Sequence, residues 1–227
     1  MSQPFSNDGD GIVIINILAG GPVTLLPNLS TYKQEGDIWI GVDRGVLTLL
    51  SFGIHPSIAF GDFDSVSDKE LAMIEERISD LKRYQPEKDE TDMELALNWA
   101  IKQKPDFIRV FGATGGRLDH FLANIQLLVR PFLQDEDTQI EIIDQSNIIY
   151  LKGPGIHEIR RNLQFKYISF IPLSQEITGL TLNGFKYPLK DRHIPMGSTL
   201  CISNELINDI GNFSFSKGII MVVRSKD

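Results

Sequence analysis

An apolar run that stops at a glycine and continues as two aspartates at alternate positions, Ile58 to Val66 (IAFGDFDSV), restricts this chain more than any other stretch. The run reads as a buried strand that delivers carboxylates to its end. With extended backbone through Phe63, residues two apart point the same way, so Asp62 and Asp64 face one small volume while Phe63 turns into the packing. Two such carboxylates repel each other unless a cation lies between them. In an open α/β sheet the ligand crevice lies beyond the carboxyl ends of the strands, which suits a magnesium site that receives phosphates. The competing local reading is a loop in which one aspartate caps the helix beginning near Ser67.

The same grammar recurs along the first two thirds of the chain. Ile12 to Leu18 is an isoleucine-rich run closed by Ala19, Gly20 and Gly21, a strand ending in a tight loop. Two adjacent glycines without a spaced fingerprint read as a turn before they read as a nucleotide contact. Ile38 to Val42 is a second strand with Asp43, Arg44 and Gly45 at its end, followed by a helix over Val46 to Phe52. Asp43 therefore occupies the same kind of position as Asp62. Ser67 to Ser79 carries Leu71, Ile74 and Ile78 among charges and reads as a surface helix, followed by a strand around Leu81 to Tyr84.

Asp89, Glu90, Asp92 and Glu94 then crowd the entry to an amphipathic helix whose buried side is Leu95, Leu97, Ala100 and Ile101. The helix dipole accounts for one or two of these carboxylates, at about 0.3 to 1 kcal/mol each. Lys88, Asp89, Thr91 and Asp92 in one turn look more like a cation site with a phosphate-pairing lysine beside it. The next strand, Phe107 to Phe111, runs into GATGGRLDHFLANIQLLV. Glycines 112, 115 and 116 free the backbone NH groups of a loop, the helix opening near Leu118 turns its positive end to any anion there, and Arg117 adds a bidentate contact. Asp119 and His120 lie in the first turn, with Asn124 one turn after His120 on the same face.

Beyond the short runs Ile140 to Ile143 and Ile148 to Leu151, the turn Lys152 to Gly155 marks a change of period. Tyr167 to Ile171, Ile177 to Leu182, Phe185 to Leu189, Leu200 to Ile202, Ile210 to Phe215 and Ile219 to Val223 are strand-like runs separated by turn residues. The expected architecture is an α/β domain with a mainly parallel sheet over residues 1–151, and a smaller all-β unit, a sandwich or barrel-like, over 152–227.

Composition narrows the function. A net charge of -8 argues against nucleic acid or an anionic membrane as the main partner and suits an acidic site that recruits a divalent cation. Cys201 is the single cysteine, so neither an intrachain disulfide nor a thiolate metal cluster can form. The polar start MSQPFSNDGDG lacks a signal-peptide core, and no apolar run reaches the roughly 18 residues of a membrane span. A cytoplasmic protein is the expectation. No GxxxxGK[ST] occurs, which excludes a Walker-type NTPase.

Taken together, GDFDSV, EKDETDMELAL, GATGGRLDHFLANI, GLTLNGFKYPL and ISNEL occur in an order and spacing that resembles the thiamine pyrophosphokinase family, from about Ile14 to Val223. The resemblance implies transfer of a pyrophosphoryl group from ATP to the thiamine hydroxyl with Mg²⁺, giving thiamine diphosphate and AMP. It implies an α/β catalytic domain, a C-terminal β-sandwich, and a homodimer with active sites shared between subunits. Carried over by motif, Asp43, Asp62, Asp64 and Asp92 would be the metal and catalytic carboxylates, with Asp89 beside them. Thr114, Gly115, Gly116, Arg117, Asp119 and His120 would form the nucleotide region, and Ser203 and Asn204 would contact thiamine. Some relatives have tryptophan in the stretch matching GFKYPL, where this chain has Tyr187. Two other readings stand beside this one: a magnesium phosphatase with Asp62 as nucleophile, which would pass through a phosphoaspartate, and a nucleotide or thiamine sensor without chemistry.

Overall fold

The computed structural model describes residues 12–63, 66–78, 80–83, 89–133 and 138–227. It divides into two compact units, Met1–Gln145 and Ser146–Asp227. In the first unit, strands β1 (Ile14–Leu18), β2 (Ile38–Val42), β3 (Ile58–Gly61), β4 (Asp80–Arg83), β5 (Phe107–Phe111) and β6 (Gln139–Ile143) lie in the order β4-β3-β2-β1-β5-β6. Every pairing among them is parallel. Every residue of β1, β2 and β3 is buried, which explains why their sequences run apolar without alternation: a sheet covered on both faces leaves no polar side.

Helices make the crossovers: α1 (Gly45–Ser51), α2 (Asp68–Arg77), α3 (Asp92–Lys102), α4 (Leu118–Leu127) and the short α5 (Arg130–Leu133). Two 3-10 turns, Val23–Leu25 and Leu29–Tyr32, fill the connection from β1 to β2, where the sequence shows no periodic signal. Helix α2 starts on a capping box. The Ser67 hydroxyl accepts from the Glu70 N–H at 3.4 Å, and the Glu70 carboxylate accepts from the Ser67 N–H at 2.8 Å. Its apolar side, with Ile74 and Ile78, joins Val46, Ala59 and Phe63 in one core cluster.

The sequence expects extended backbone through Phe63, and here the structure differs. Strand β3 ends at Gly61, and Phe63 takes a left-handed φ of 58°. Phe63 is buried as expected, at 3% exposure, but the period of two is broken there. Asp64 itself lies outside the described residues, as do Lys88, Ser79 and Tyr84.

The second unit holds two sheets. Strands β7 (Asn147–Lys152), β13 (Ile220–Ser225) and β9 (Tyr167–Pro172) pair antiparallel in the order β7-β13-β9. Strands β8 (Gly155–Arg160), β10 (Glu176–Asn183), β11 (Leu189–Pro195) and β12 (Ile210–Phe215) form an antiparallel sheet in the order β11-β10-β12-β8. One core, including Tyr150, Ile168, Phe170, Leu180, Leu182, Phe213, Phe215 and Val222, draws on both sheets, which makes the unit a sandwich. Strand β7 belongs here because it pairs with β13.

Two expected strands are absent. Leu200 to Ile202 is a turn, and in Phe185 to Leu189 only Phe185 makes an isolated bridge, to Leu206, before β11 begins at Leu189. Strand β8 was not expected. Its burial pattern is exposed at four of six residues, so it lacks the apolar run that marks a strand in sequence.

Candidate active site

Strands β1, β2, β3 and β5 run parallel, so their carboxyl ends open on one edge, and the order reverses direction between β1 and β5. That reversal is where an open α/β sheet leaves a crevice. The ends are zipped together by backbone: the N–H of Ala19 donates to Phe111 O, that of Gly21 to Gly112 O and that of Asp43 to Phe60 O, each at 2.9 Å. A Cβ on Gly21 would sit 2.3 Å from Gly112 O, so only glycine lets these two loops meet. The pair Gly20–Gly21, weighed above as a plain turn, therefore shapes the site.

Asp43 follows β2 with a left-handed φ of 49°, Asp62 follows β3, and Asp92 opens α3 behind Thr91, whose hydroxyl caps the helix by accepting from the Glu94 N–H at 3.1 Å. One carboxylate oxygen from each of Asp43, Asp62 and Asp92 lies within 4.8 Å of the other two, and all three residues are half-buried. Adjacent and opposite ligands of an octahedral magnesium ion are roughly 2.9 and 4.2 Å apart, so three oxygens grouped this closely suit one such ion. The donor set, oxygen only and anionic, is also the one a hard cation selects.

A cleft of about 1030 Å³ contains this cluster. Its lining includes Asp43, Asp62, Asp89 and Asp92 together with Gly115, Gly116, Arg117, Asp119 and His120. Gly115 and Gly116 adopt φ of 77° and 64°, the conformation that turns the chain from β5 into α4. Thr114 is buried at 8% exposure and does not line the cleft. Asn124 does line it, and its side-chain NH₂ donates to Ala113 O at 3.2 Å, tying α4 to the glycine loop.

Arg117 does not project alone. Its Nε and Nη2 donate to the two oxygens of Asp119 at 3.1 and 2.5 Å, a bidentate pair at the cleft surface. These bonds from Arg117, helped by the His120 N–H, hold the Asp119 carboxyl at about 2, well below the usual range. An exposed pair of this kind contributes little to folding, and its effect is to aim the guanidinium. Of the acidic residues at the start of α3, Glu94 turns away from the cluster and pairs with Arg130, whose Nη1 also donates to Asn98 at 2.8 Å.

Ser203 and Asn204 belong to the second unit. Ser203 is exposed with a left-handed φ of 56°, while Asn204 is 2% exposed and its amide bonds to the chain's own backbone.

Two family models match the chain: "Thiamin pyrophosphokinase, catalytic domain" over residues 29–142, and "Thiamin pyrophosphokinase, vitamin B1 binding domain" over residues 156–220. The chain belongs to the thiamin pyrophosphokinase family. It is 53% identical over 213 residues to a thiamine pyrophosphokinase of Bacillus subtilis, covering 94% of this chain and 99% of that one. The crystal structure of a thiamine pyrophosphokinase from the same organism matches with a TM-score of 0.88 at 52% identity, over 94% of this chain and 99% of that one. A thiamin pyrophosphokinase structure from Geobacillus thermodenitrificans matches with a TM-score of 0.87 at 48% identity, over 95% and 98%. The catalytic-domain match spans the three clustered aspartates and the glycine loop, and the B1-binding match spans Ser203 and Asn204. Membership sets aside the phosphatase and sensor readings.

Proposed function

We propose that the acidic cleft is where this thiamine pyrophosphokinase positions ATP for attack by thiamine. The chain is a thiamine diphosphokinase: the thiamine hydroxyl oxygen bonds to the β-phosphorus of ATP, the bond from that phosphorus to the oxygen bridging it to the α-phosphate breaks, and AMP leaves. The observation that carries the assignment of the cleft is the meeting of Asp43, Asp62 and Asp92 with the glycine loop and Arg117 in one cavity. Moving two phosphoryl groups together requires a neutralised triphosphate and an aligned alcohol, and these parts suit both tasks.

Asp43, Asp62 and Asp92 would hold Mg²⁺, with Asp89 beside them at the rim. When bound, that ion supplies charge neutralisation for the triphosphate. The backbone of Gly115 and Gly116 and the amino end of α4 receive phosphate oxygens, and Asp119 aims Arg117 at them. The hydroxyl proton passes to a carboxylate of the cluster. The second unit binds thiamine through the segment around Ser203. We also propose a homodimer, with each site shared between subunits.

Incubating the protein with ATP and Mg²⁺, with and without thiamine, tests the reaction: AMP appears only with thiamine, in step with thiamine diphosphate. Release of ADP or inorganic phosphate in place of AMP would refute it.

A further inference from the structure

The segment from Ser203 to Glu205 is held from beneath by two buried polar side chains. Ser169, on β9 and 6% exposed, accepts the Ser203 N–H on its hydroxyl at 2.9 Å. That bond fixes a residue whose φ of 56° an L side chain rarely adopts. Asn204 is 2% exposed, and its carbonyl oxygen accepts from the N–H of Tyr187 at 3.0 Å and from that of Glu205 at 2.9 Å. Its NH₂ donates to the carbonyl of Tyr187 at 2.9 Å. An amide oxygen has two lone pairs, and both are taken. The backbone of Asn204 pairs in both directions with Ile168, at 3.0 and 2.8 Å. What this buried framework presents outward is Ser203, which is exposed, and Tyr187, which is 58% exposed.

We propose that Ser169 and Asn204 are positioning residues: they form a buried polar template that holds Ser203 left-handed and fixes Tyr187 at both backbone polar groups, and neither side chain touches the substrate. The inference rests on the reading of this unit as the thiamine-binding one. It moves Asn204 from contact to support and adds Ser169, for which the sequence carries no motif.

The test compares Asn204→Ala, Ser169→Ala and Ser169→Thr in the full enzyme. Readouts are the KM for thiamine, the KM for ATP, melting temperature, and the inhibition constant of the thiamine analogue whose pyrimidine amino group is replaced by oxygen. Displacing the template moves the whole segment, so Asn204→Ala and Ser169→Ala raise the thiamine KM tenfold or more. They weaken the analogue by the same factor, within about threefold, and leave the ATP KM within twofold. Ser169→Thr keeps the hydroxyl and restores most of the loss.

A tenfold difference between thiamine and analogue in Asn204→Ala would mean that the amide reads the pyrimidine edge, and the inference fails. A lowered melting temperature with an unchanged thiamine KM makes both residues merely structural and overturns it equally. If Asn204→Ala does not fold, Ser169→Ala and Ser169→Thr carry the comparison, because they change only the group that accepts the Ser203 N–H. Ser203→Ala separates this inference from the reading beneath it. If that variant leaves the thiamine KM untouched, the substrate assignment of the segment is wrong. If it raises the KM while Ser169→Ala does not, only the template fails.

Discussion

At the scale of single residues, Asp43, Asp62 and Asp92 hold three carboxylates within 4.8 Å, an arrangement that folding alone does not favour. Asp62→Asn and Asp92→Asn are therefore expected to separate stability from activity. AMP formation falls roughly a hundredfold or more, on the scale of losing one transition-state contact. Melting temperature without metal stays level or rises, because a like charge has been removed. A variant that keeps most of its AMP formation removes that residue from the site. His157 makes a different case. Burial, chiefly, pushes its pKa down, with Lys152 adding to the effect and a bond to Gly153 O opposing it, and its ring lies against Phe213 at 4.9 Å. The folded state thus prefers neutral imidazole, while the unfolded chain takes up a proton near the usual value of about 6.5. The stabilising contribution is complete above that pH and is lost as pH falls through the lower, folded value. Melting curves from pH 7.5 to 5 should fall less steeply for His157→Phe than for the parent, and parallel curves would contradict this.

At the scale of elements, the junction of two strand ends decides the site's shape. The loop after β1 and the loop after β5 touch through Gly21 and Gly112, with no room for a side chain at Gly21. Gly21→Ala is expected to lower unfolding stability by about 1 to 3 kcal/mol, the cost of overpacking. The same shift displaces the glycine loop, so the KM for ATP should rise with it. Urea unfolding and ATP titration of the rate measure the two. An Ala variant with parental stability would mean that the loops separate freely. Helix α3 shows how an element can mislead when read alone: its first turn carries Asp92 into the cleft and Glu94 to Arg130, although both are acidic and close in sequence.

At the scale of the whole molecule, the second unit leaves Ile156, Leu163 and Ile207 at 84%, 91% and 60% exposure, more apolar surface than a small sandwich gains from. A symmetric dimer is the commonest way to cover such surface. The proposed sharing of sites has a direct test. Asp62→Asn and a Ser203→Ala, Asn204→Ala double variant are mixed under conditions that let subunits exchange, at a thiamine concentration far below the raised KM of the double variant, where each alone is nearly inactive. Shared sites place both lesions in one site of the heterodimer and none in the other, so activity returns. Exchange confirmed by mass without returning activity would place each site within one chain.

The sequence by itself determined the parallel sheet, the strand ends that carry Asp43 and Asp62, and the glycine loop before α4. These follow from local rules: continuous apolar runs need burial on both faces, and glycine followed by a helix start frees backbone donors. It also determined the family, because the linked motifs keep their order along nearly the whole chain. Only the tertiary structure decided which carboxylates meet. Asp62 and Asp92 are thirty residues apart, and the extended backbone expected after β3 ends where Phe63 turns left-handed. It alone turned Glu94 away, brought Gly21 against Gly112, and buried the Asn204 amide in bonds to Tyr187. Each of these is a contact between segments distant in sequence or a departure from regular dihedrals, and neither leaves a period or a spacing for a reader of the sequence to find.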